Sequence, residues 1–400
     1  MRNLGWRIWS MLLVYAVSLF GSGMTEPYLV LYLHDRNGMD LVLSGLIISM
    51  ISISGVTAIP ISGWLVSFIG SKNSLVVMLV MAGSGEALMA VFHQPSGLIA
   101  ASILLGAGNA GAWNVFSSLL AGAVRKSQRT QVFGWAFAVQ NFAAGAGAAT
   151  GGWLLTSTGF PILFFADAVT FFLFAVSVHF ILLNIPGSSP RNPNSHPVSH
   201  GVVFKDRAMI GIAVFYALFA ALMSGLSMVI FPEWATGKEG AATSGVGLAF
   251  WANSLMIVIG QPFALRFLKG RKRTRMALLT SVLFAAGCLL IWISSILKAG
   301  IATVSGFVVA WMVIGLGEIL LFPSLPALVN DLASDALRVR YNTIFNLSWQ
   351  AGSIGGPLLS GWGMKSIGTL MFAGLMGFAI LLSLFALRLE RIVPNEANLN

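Results

Sequence analysis

Five carboxylates lie inside long apolar segments of this sequence, where ionisable side chains are unusual. They are Glu26, Glu86, Asp167, Glu233 and Glu318. A charged group inside a membrane span is costly, so each is a candidate for function. A buried carboxyl group can exchange protons near neutral pH, because a low dielectric disfavours its ionised form. The chemistry that these residues predict is proton or cation binding within a membrane.

Glu318 and Glu26 have the clearest settings among the five. Glu318 lies near the middle of its apolar segment. Glu26 ends a polar face that begins with Tyr15, Ser18 and Ser22, at helical spacings of 3, 4 and 4 residues. The setting of Glu318 therefore favours a coupling or substrate role, whereas that of Glu26 is equally compatible with a cavity role and a structural one.

Uncharged polar and aromatic residues recur in the same segments. Amides donate and accept hydrogen bonds without charge, and aromatic rings can hold cations. The predicted substrate-cavity residues are Tyr28, Asn109, Trp113, Asn114, Gln140, Asn141, Trp251, Asn346, Trp349 and Gln350. Two structural alternatives stay open: hydrogen bonding between helices for the amides and anchoring at the membrane interface for the tryptophans.

The composition is that of an integral membrane protein. Of 400 residues, 57% are hydrophobic and 9% charged, with a mean hydropathy of +0.85, whereas soluble domains have about 25% charged residues. The single Cys288 excludes a disulfide framework. We find no phosphate-binding loop, Cys/His cluster or nucleophile elbow. We therefore expect no enzyme activity, no metal and no cofactor.

Twelve apolar segments are long enough to cross a bilayer as helices, which takes ~20 residues each. They cover roughly 9–33, 41–68, 74–93, 97–124, 132–157, 160–185, 208–234, 242–268, 275–296, 301–331, 340–364 and 369–390. Nineteen of the 23 Lys and Arg residues fall on the side that holds both termini. This bias predicts cytoplasmic termini in a plasma (bacterial inner) membrane, and it explains the net charge of +10 without nucleic-acid binding.

The chain is predicted to have two halves. A Pro-, Ser- and Asn-rich cytoplasmic linker, 186–207, separates a bundle at 1–185 from a bundle at 208–400. At a shift of 209 residues, Arg129 falls on Arg338 and Trp153 falls on Trp362. Direct repeats of six spans describe two halves related by an axis along the membrane normal. The predicted fold is all-α, with two pseudo-symmetric six-helix bundles.

Three motifs resemble those of the major facilitator superfamily. The segment GWLVSFIGSK, 63–72, is similar to the family's G-x-L-x-D-x-x-G-R-K loop, with Ser67 in place of the Asp. The segment GSIGGPLLSG, 352–361, resembles the glycine motif of family antiporters. Gly317-Glu318 followed by Pro323 is similar to the multidrug–proton antiporter branch. Ser102 stands where proton-coupled members usually have an Arg.

The resemblance implies roles for particular residues. It assigns proton coupling to Glu318, with Glu26 and Asp167 as further candidates. The third and sixth spans are peripheral in the resembled fold, so structural pairing with the neighbouring half is the favoured interpretation for Asp167. For Glu86, a local hydrogen-bonded role is equally compatible with the sequence. Gating and helix packing are implied for Gly63, Gly70, Lys72, Arg129, Gly147, Gly151, Arg338, Gly352, Gly356 and Pro357.

The function that the sequence favours is secondary active transport. We expect a monomer in the lipid bilayer that exports amphipathic or cationic small molecules by alternating access, in exchange for protons. Its partners would be a small-molecule substrate and protons, with no nucleic acid. The alternative is a facilitator or exporter of a specific metabolite, sugar or lipid without proton coupling.

Overall fold

The computed structural model describes residues 5–125, 128–181, 203, 205–237, 242–296, 300–334, 337–368 and 370–399. Regular structure in these ranges is helical, apart from one isolated bridge between Lys272 and Leu399. Most of the predicted linker 186–207 lies outside the described residues. The linker and the domain boundaries next to it therefore stay predictions.

The first half contains six membrane-length helical segments. They are α1 (Trp6–Thr25), α2 and α3 (the two arms, 41–69 and 71–91, of the helical run Leu41–Val91), α4 (Pro95–Gly122), α5 (Arg129–Leu154) and α6 (Phe160–Ile181). Gly70 separates α2 from α3 with φ 78° and ψ 162°. Only glycine adopts this conformation without strain.

The second half repeats this arrangement. Its helices are α7 (Arg207–Gly225), α8 (Thr243–Leu268), α9 (Arg273–Ile296), α10 (Gly300–Leu332), α11 (Arg338–Ile367), α12 (Leu370–Ile392) and the short α13 (Asn395–Asn398). A side-chain oxygen of Asp206 caps α7 by accepting hydrogen bonds from the N–H groups of Ala208 and Met209.

The helices confirm the predicted twelve-span, all-α membrane fold. Among the described residues, nine helical stretches are long and apolar enough to cross a membrane, and one of them, Leu41–Val91, contains two predicted spans. The remaining two spans are α5 and α11, with 26 and 30 residues. They have the length but carry more glycine and polar side chains, which lowers their hydropathy.

The first helix of each half is interrupted near one end. A 3₁₀ turn, Glu26–Tyr28, follows α1, and a π-helical turn, Tyr32–Arg36, comes after it. In the second half, a π-helical turn, Leu226–Ile230, follows α7 and leads into the helix Phe231–Gly237. Such changes of helix type often mark hinges or functional sites.

The chain divides into two compact units by its internal contacts. The first unit comprises Met1–Asp40 and Leu46–Ser195, and the second comprises Leu41–Gly45 and His196–Asn400. Within the first unit, α1 packs on α5 and α6. Within the second, α7 packs on α11 and α12, and α10 packs on α8 and α9.

Glycines allow the closest of these approaches. A Cβ at Gly147 or Gly151 would overlap backbone atoms of α1, and a Cβ at Gly352 or Gly356 would overlap backbone atoms of α7. Small residues at helix interfaces let backbones approach in this way. Of the predicted gating and packing residues, Gly147 and Gly151 therefore pack helices in the first unit, and Gly352 and Gly356 do so in the second. Pro357 is buried in α11.

Candidate functional site

Glu318 is buried inside the second unit and is held by an amide. Its side chain on α10 is 6% exposed. The Nδ2 atom of Asn253, on α8, donates to Oε1 of Glu318 at 2.8 Å and to the carbonyl oxygen of Trp311 at 3.2 Å. Among the described residues, no salt bridge reaches Glu318. The carboxyl group therefore has a polar partner but no fixed counter-charge.

Glycines bring the neighbouring helices close to Glu318. A Cβ at Gly315 would lie 3.1 Å from Nδ2 of Asn253, tighter than ordinary contact. A Cβ at Gly317 would lie 3.1 Å from Cγ2 of Thr280 on α9. The Thr280 hydroxyl donates to the carbonyl oxygen of Gly317 at 2.9 Å. The G-x-G-E sequence of α10 thus serves as the packing surface that positions the carboxylate.

Asp167 is fully buried in the first unit and accepts three hydroxyl hydrogen bonds. The hydroxyls of Ser22 and Thr170 donate to Oδ1 at 3.5 and 3.0 Å, and that of Thr25 donates to Oδ2 at 3.2 Å. Gly21 leaves the space, since a Cβ there would overlap Asp167 and Thr170. The described partners of Asp167 lie in its own unit, whereas the sequence favoured pairing with the other half.

Glu86, on α3, joins the same cluster. Its side chain is 3% exposed, and a Cβ at Gly83, one turn away, would lie 3.1 Å from the carbonyl oxygen of Ala168, so α3 meets α6 beside Asp167. Its Oε2 atom has no hydrogen-bond partner. Glu26 is exposed, follows Thr25 directly, and interacts electrostatically with Glu86. Acidic residues of α3, of α6 and of the 3₁₀ turn after α1 are therefore neighbours.

Each unit also has an aromatic cluster. In the first, Tyr15 of α1 stacks on Trp113 of α4, with ring centroids 5.3 Å apart. In the second, Tyr216 of α7 lies 5.0 Å from Trp349 of α11, and Trp349 lies 5.7 Å from Phe322 of α10. Trp113 is 39% exposed and Trp349 is half-buried. Both tryptophans therefore keep part of their ring surface exposed.

The other predicted cavity residues divide by their partners. Tyr28 is buried and its hydroxyl donates to the carbonyl oxygen of Ala148 at 2.6 Å, and Asn114 donates to the Ser62 hydroxyl at 2.8 Å. Asn141 donates to a carbonyl of its own helix. Tyr28 and Asn114 thus form hydrogen bonds between helices, and Asn141 forms one within its own helix. The remaining members are exposed or half-buried: Asn109, Gln140, Trp251, Asn346 and Gln350.

The predicted gate residues form local contacts in the described structure. Nζ of Lys72 donates to the carbonyl oxygen of His179 at 3.0 Å, and Nε of Arg129 donates to that of Ala121 at 3.1 Å. Ser67, in place of the family's Asp, donates to the carbonyl oxygen of Trp64 at 2.6 Å. Ser67 is thus engaged with its own helix.

Two further predicted gate residues, Gly63 and Arg338, have more open surroundings. A Cβ at Gly63 would meet nothing within 4 Å, and Arg338 is exposed. The described structure therefore leaves the gating assignments of these residues as predictions.

Two features of the site were missing from the sequence interpretation. Asn253 was not selected, although an amide in an apolar helix is a signal that could have been used. The pairing of Glu86 with Asp167 depends on the rotation of α3 and α6 about their axes, for which the sequence has no local signal.

Comparison with known proteins identifies relatives along almost the whole chain. The model of the Major Facilitator Superfamily matches residues 11–231 and 213–400. The chain is 24% identical over 354 residues, 86% of its length, to the uncharacterized MFS-type transporter YttB of Bacillus subtilis (strain 168), of which 85% is covered.

Solved structures show the same fold. The POT family transporter PepTSo superposes with a TM-score of 0.79 at 13% identity, covering 97% of this chain and 98% of that one. The nucleoside transporter NupG superposes with a TM-score of 0.77 at 12% identity, covering 96% and 99%. At these identities the likeness extends to the fold alone.

Proposed function

Because the chain belongs to the major facilitator superfamily, we propose that this membrane transporter is a proton-coupled exporter of amphipathic or cationic small molecules. The observation that carries the proposal is the setting of Glu318. It is buried, lacks a salt bridge among the described residues, and accepts a hydrogen bond from a neutral amide. Such a carboxyl group can change charge during a transport cycle without breaking an ion pair.

The proposed cycle alternates the charge of Glu318. In the ionised form, its carboxylate attracts a cationic substrate, and the Asn253 hydrogen bond stabilises the charge. In the protonated form, the attraction is lost and substrate leaves. Coupling requires only that the two charge forms favour different facing states of the protein. Glu26 and Asp167 are the corresponding candidates in the first unit.

The aromatic clusters support amphipathic or cationic small molecules as the substrates. Trp113 and Trp349 present accessible ring surface, and each is backed by a tyrosine. Aromatic faces bind organic cations by cation–π attraction, worth about 0.5–2 kcal/mol each. A lipophilic cation would gain binding free energy from the aromatic rings and from a carboxylate, whereas a neutral sugar would gain little from either.

The test is transport by purified protein in proteoliposomes, with a lipophilic fluorescent cation as substrate. For one proton exchanged per monovalent cation, a gradient of one pH unit sustains about a tenfold concentration ratio. We expect Glu318→Gln to lower the ratio to one and to weaken exchange of labelled for unlabelled substrate, because its neutral side chain resembles the protonated form that releases substrate. Glu396→Gln, at an exposed glutamate, is the control. A full pH-driven gradient in Glu318→Gln would refute the coupling role.

One observation favours the uncoupled alternative. Ser102 is fully buried, and its hydroxyl has no hydrogen-bond partner. It occupies the position where the resembled family usually has an Arg for proton coupling. A facilitator or exporter of a specific metabolite would not need that Arg. Substrate movement that is insensitive to an uncoupler would support this alternative.

The proposal keeps the predicted topology: a monomer in the plasma membrane with both termini cytoplasmic. The support is the bias of Lys and Arg residues. Labelling of single cysteines introduced at Glu396 and at Lys365 tests it. We expect a membrane-impermeant reagent applied to intact cells to label the second position and leave the first unmodified.

A further inference from the structure

We propose that Glu86 and Asp167 form a proton-binding site inside the first unit, separate from Glu318. In this site Glu86 carries the proton and Asp167 is the carboxylate that accepts its hydrogen bond. The support for the site is the burial of both side chains, the hydrogen bonds to Asp167 and the close contact of α3 with α6 beside them. Its use in transport rests on the proposed function.

Asp167 is surrounded as an anion would be. Three hydroxyls, from Ser22, Thr25 and Thr170, donate to its two oxygens. A carboxylate can accept several hydrogen bonds, whereas a protonated carboxyl group has one oxygen occupied by its own hydrogen. Hydrogen bonds to the charged form stabilise that form. The arrangement therefore stabilises a negative charge on Asp167.

Glu86 has the opposite setting. It is almost completely buried, and one of its oxygens has no partner. An ionised carboxylate with an unpartnered oxygen would be very costly at this position, whereas the carbonyl oxygen of a neutral acid is far less so. If the other oxygen carries the hydrogen, Glu86 can donate to Asp167.

A proton in this pair lowers its electrostatic cost. Two neighbouring buried carboxyl groups cannot both be ionised at low cost. Glu26, in the 3₁₀ turn after α1, adds a further negative charge beside Glu86. From α6 the cluster receives the Thr170 hydroxyl, and α4 packs its backbone at Ala101 and Leu105 against Gly85 on α3. Among the described residues, no salt bridge supplies a positive charge.

The 3₁₀ turn after α1 offers a way to move the proton of the Glu86–Asp167 pair. Ser22 and Thr25, which hold Asp167, lie in the last turn of α1, and the 3₁₀ turn begins at the next residue, Glu26. A change at this turn would remove hydroxyl bonds from Asp167. Loss of these bonds would destabilise the negative charge on Asp167. The O–H bond of Glu86 would then break, a new O–H bond would form on Asp167, and the negative charge would move to Glu86.

Infrared spectroscopy of the purified protein tests the assignment, because a protonated carboxyl group and a carboxylate have different bands. At neutral pH, we expect Glu86→Gln to remove one protonated-carboxyl band. We expect Asp167→Asn to remove one carboxylate band and to leave the Glu86 band. Glu318→Gln is the control and must leave the Glu86 band in place.

Either of two results would overturn the proposal. One is the loss of a carboxylate band in Glu86→Gln, and the other is the loss of a protonated band in Asp167→Asn. If Glu86→Gln does not yield folded protein, Asp167→Asn decides the question alone. These spectra do not depend on transport, so a failed pH-gradient test of Glu318 and a failed infrared test remain distinguishable.

Discussion

The hydrogen bond between Asn253 and Glu318 is predicted to be a measurable part of the stability of the second unit. We consider Asn253→Leu, Glu318→Leu and the double variant. Leu is apolar and of similar size, so each single change leaves one buried polar group without its partner. The double change removes both polar groups and leaves an apolar contact between α8 and α10.

The structure sets the expected magnitudes. Asn253→Leu leaves the buried Glu318 without its donor, which costs about 1–3 kcal/mol. Glu318→Leu costs less, on the order of 1 kcal/mol, because the Asn253 amide keeps its 3.2 Å bond to Trp311. Interhelical hydrogen bonds in membranes have coupling energies of about 0.6 kcal/mol on average and about 1.7 at most. With a 2.8 Å bond between buried groups, we expect the upper part of that range.

The assay is the apparent free energy of unfolding of the four proteins in mixed micelles. We expect the double variant to be more stable than the sum of the single effects predicts. Asn253→Leu combined with Asn109→Leu, an exposed residue of the first unit, should be additive and is the control. Additivity for Asn253 and Glu318 would refute the inference that the amide holds the carboxyl group.

Three further predictions concern packing and the backbone. Gly356→Ala should lower the apparent unfolding free energy by about 1–3 kcal/mol through overpacking, because its Cβ would overlap α7, whereas Gly355→Ala meets nothing within 4 Å and should be neutral or stabilising. Gly70→Ala should cost about 1–3 kcal/mol in the same assay, since its φ is +78°. Asn398→Ala should cost roughly 2 kcal/mol at about 1 per hydrogen bond, because the fully buried Asn398 exchanges two bonds with Thr274. Equal apparent unfolding free energies for Gly356→Ala and Gly355→Ala would contradict the packing argument.

Local sequence features predicted the helices and the placement of Glu318 inside an apolar helix. Hydropathy located the membrane segments because each must satisfy its own backbone hydrogen bonds. Gly317-Glu318 stood out because a carboxylate in an apolar segment is rare. The two less apolar spans, α5 and α11, still form helices, and their glycines pack against α1 and α7.

The same local features did not indicate that Glu86 and Asp167 are neighbours in the first unit. Glu86 and Asp167 are 81 residues apart in the chain, and each looked like an isolated residue of a peripheral span. Their meeting depends on how α3 and α6 rotate and pack. Gly21, which lets α1 approach Asp167, is one glycine among 44 in the sequence.

The sequence by itself determined that the chain crosses a membrane with twelve helices in two similar halves, because burial of apolar length is a local and additive property. It also determined which side chains are costly there. Only the tertiary structure decided that Asn253 holds Glu318 and that Glu86 lies against Asp167. Helix rotation and axial position determine which polar side chains meet, and these depend on packing between segments that are distant in the chain.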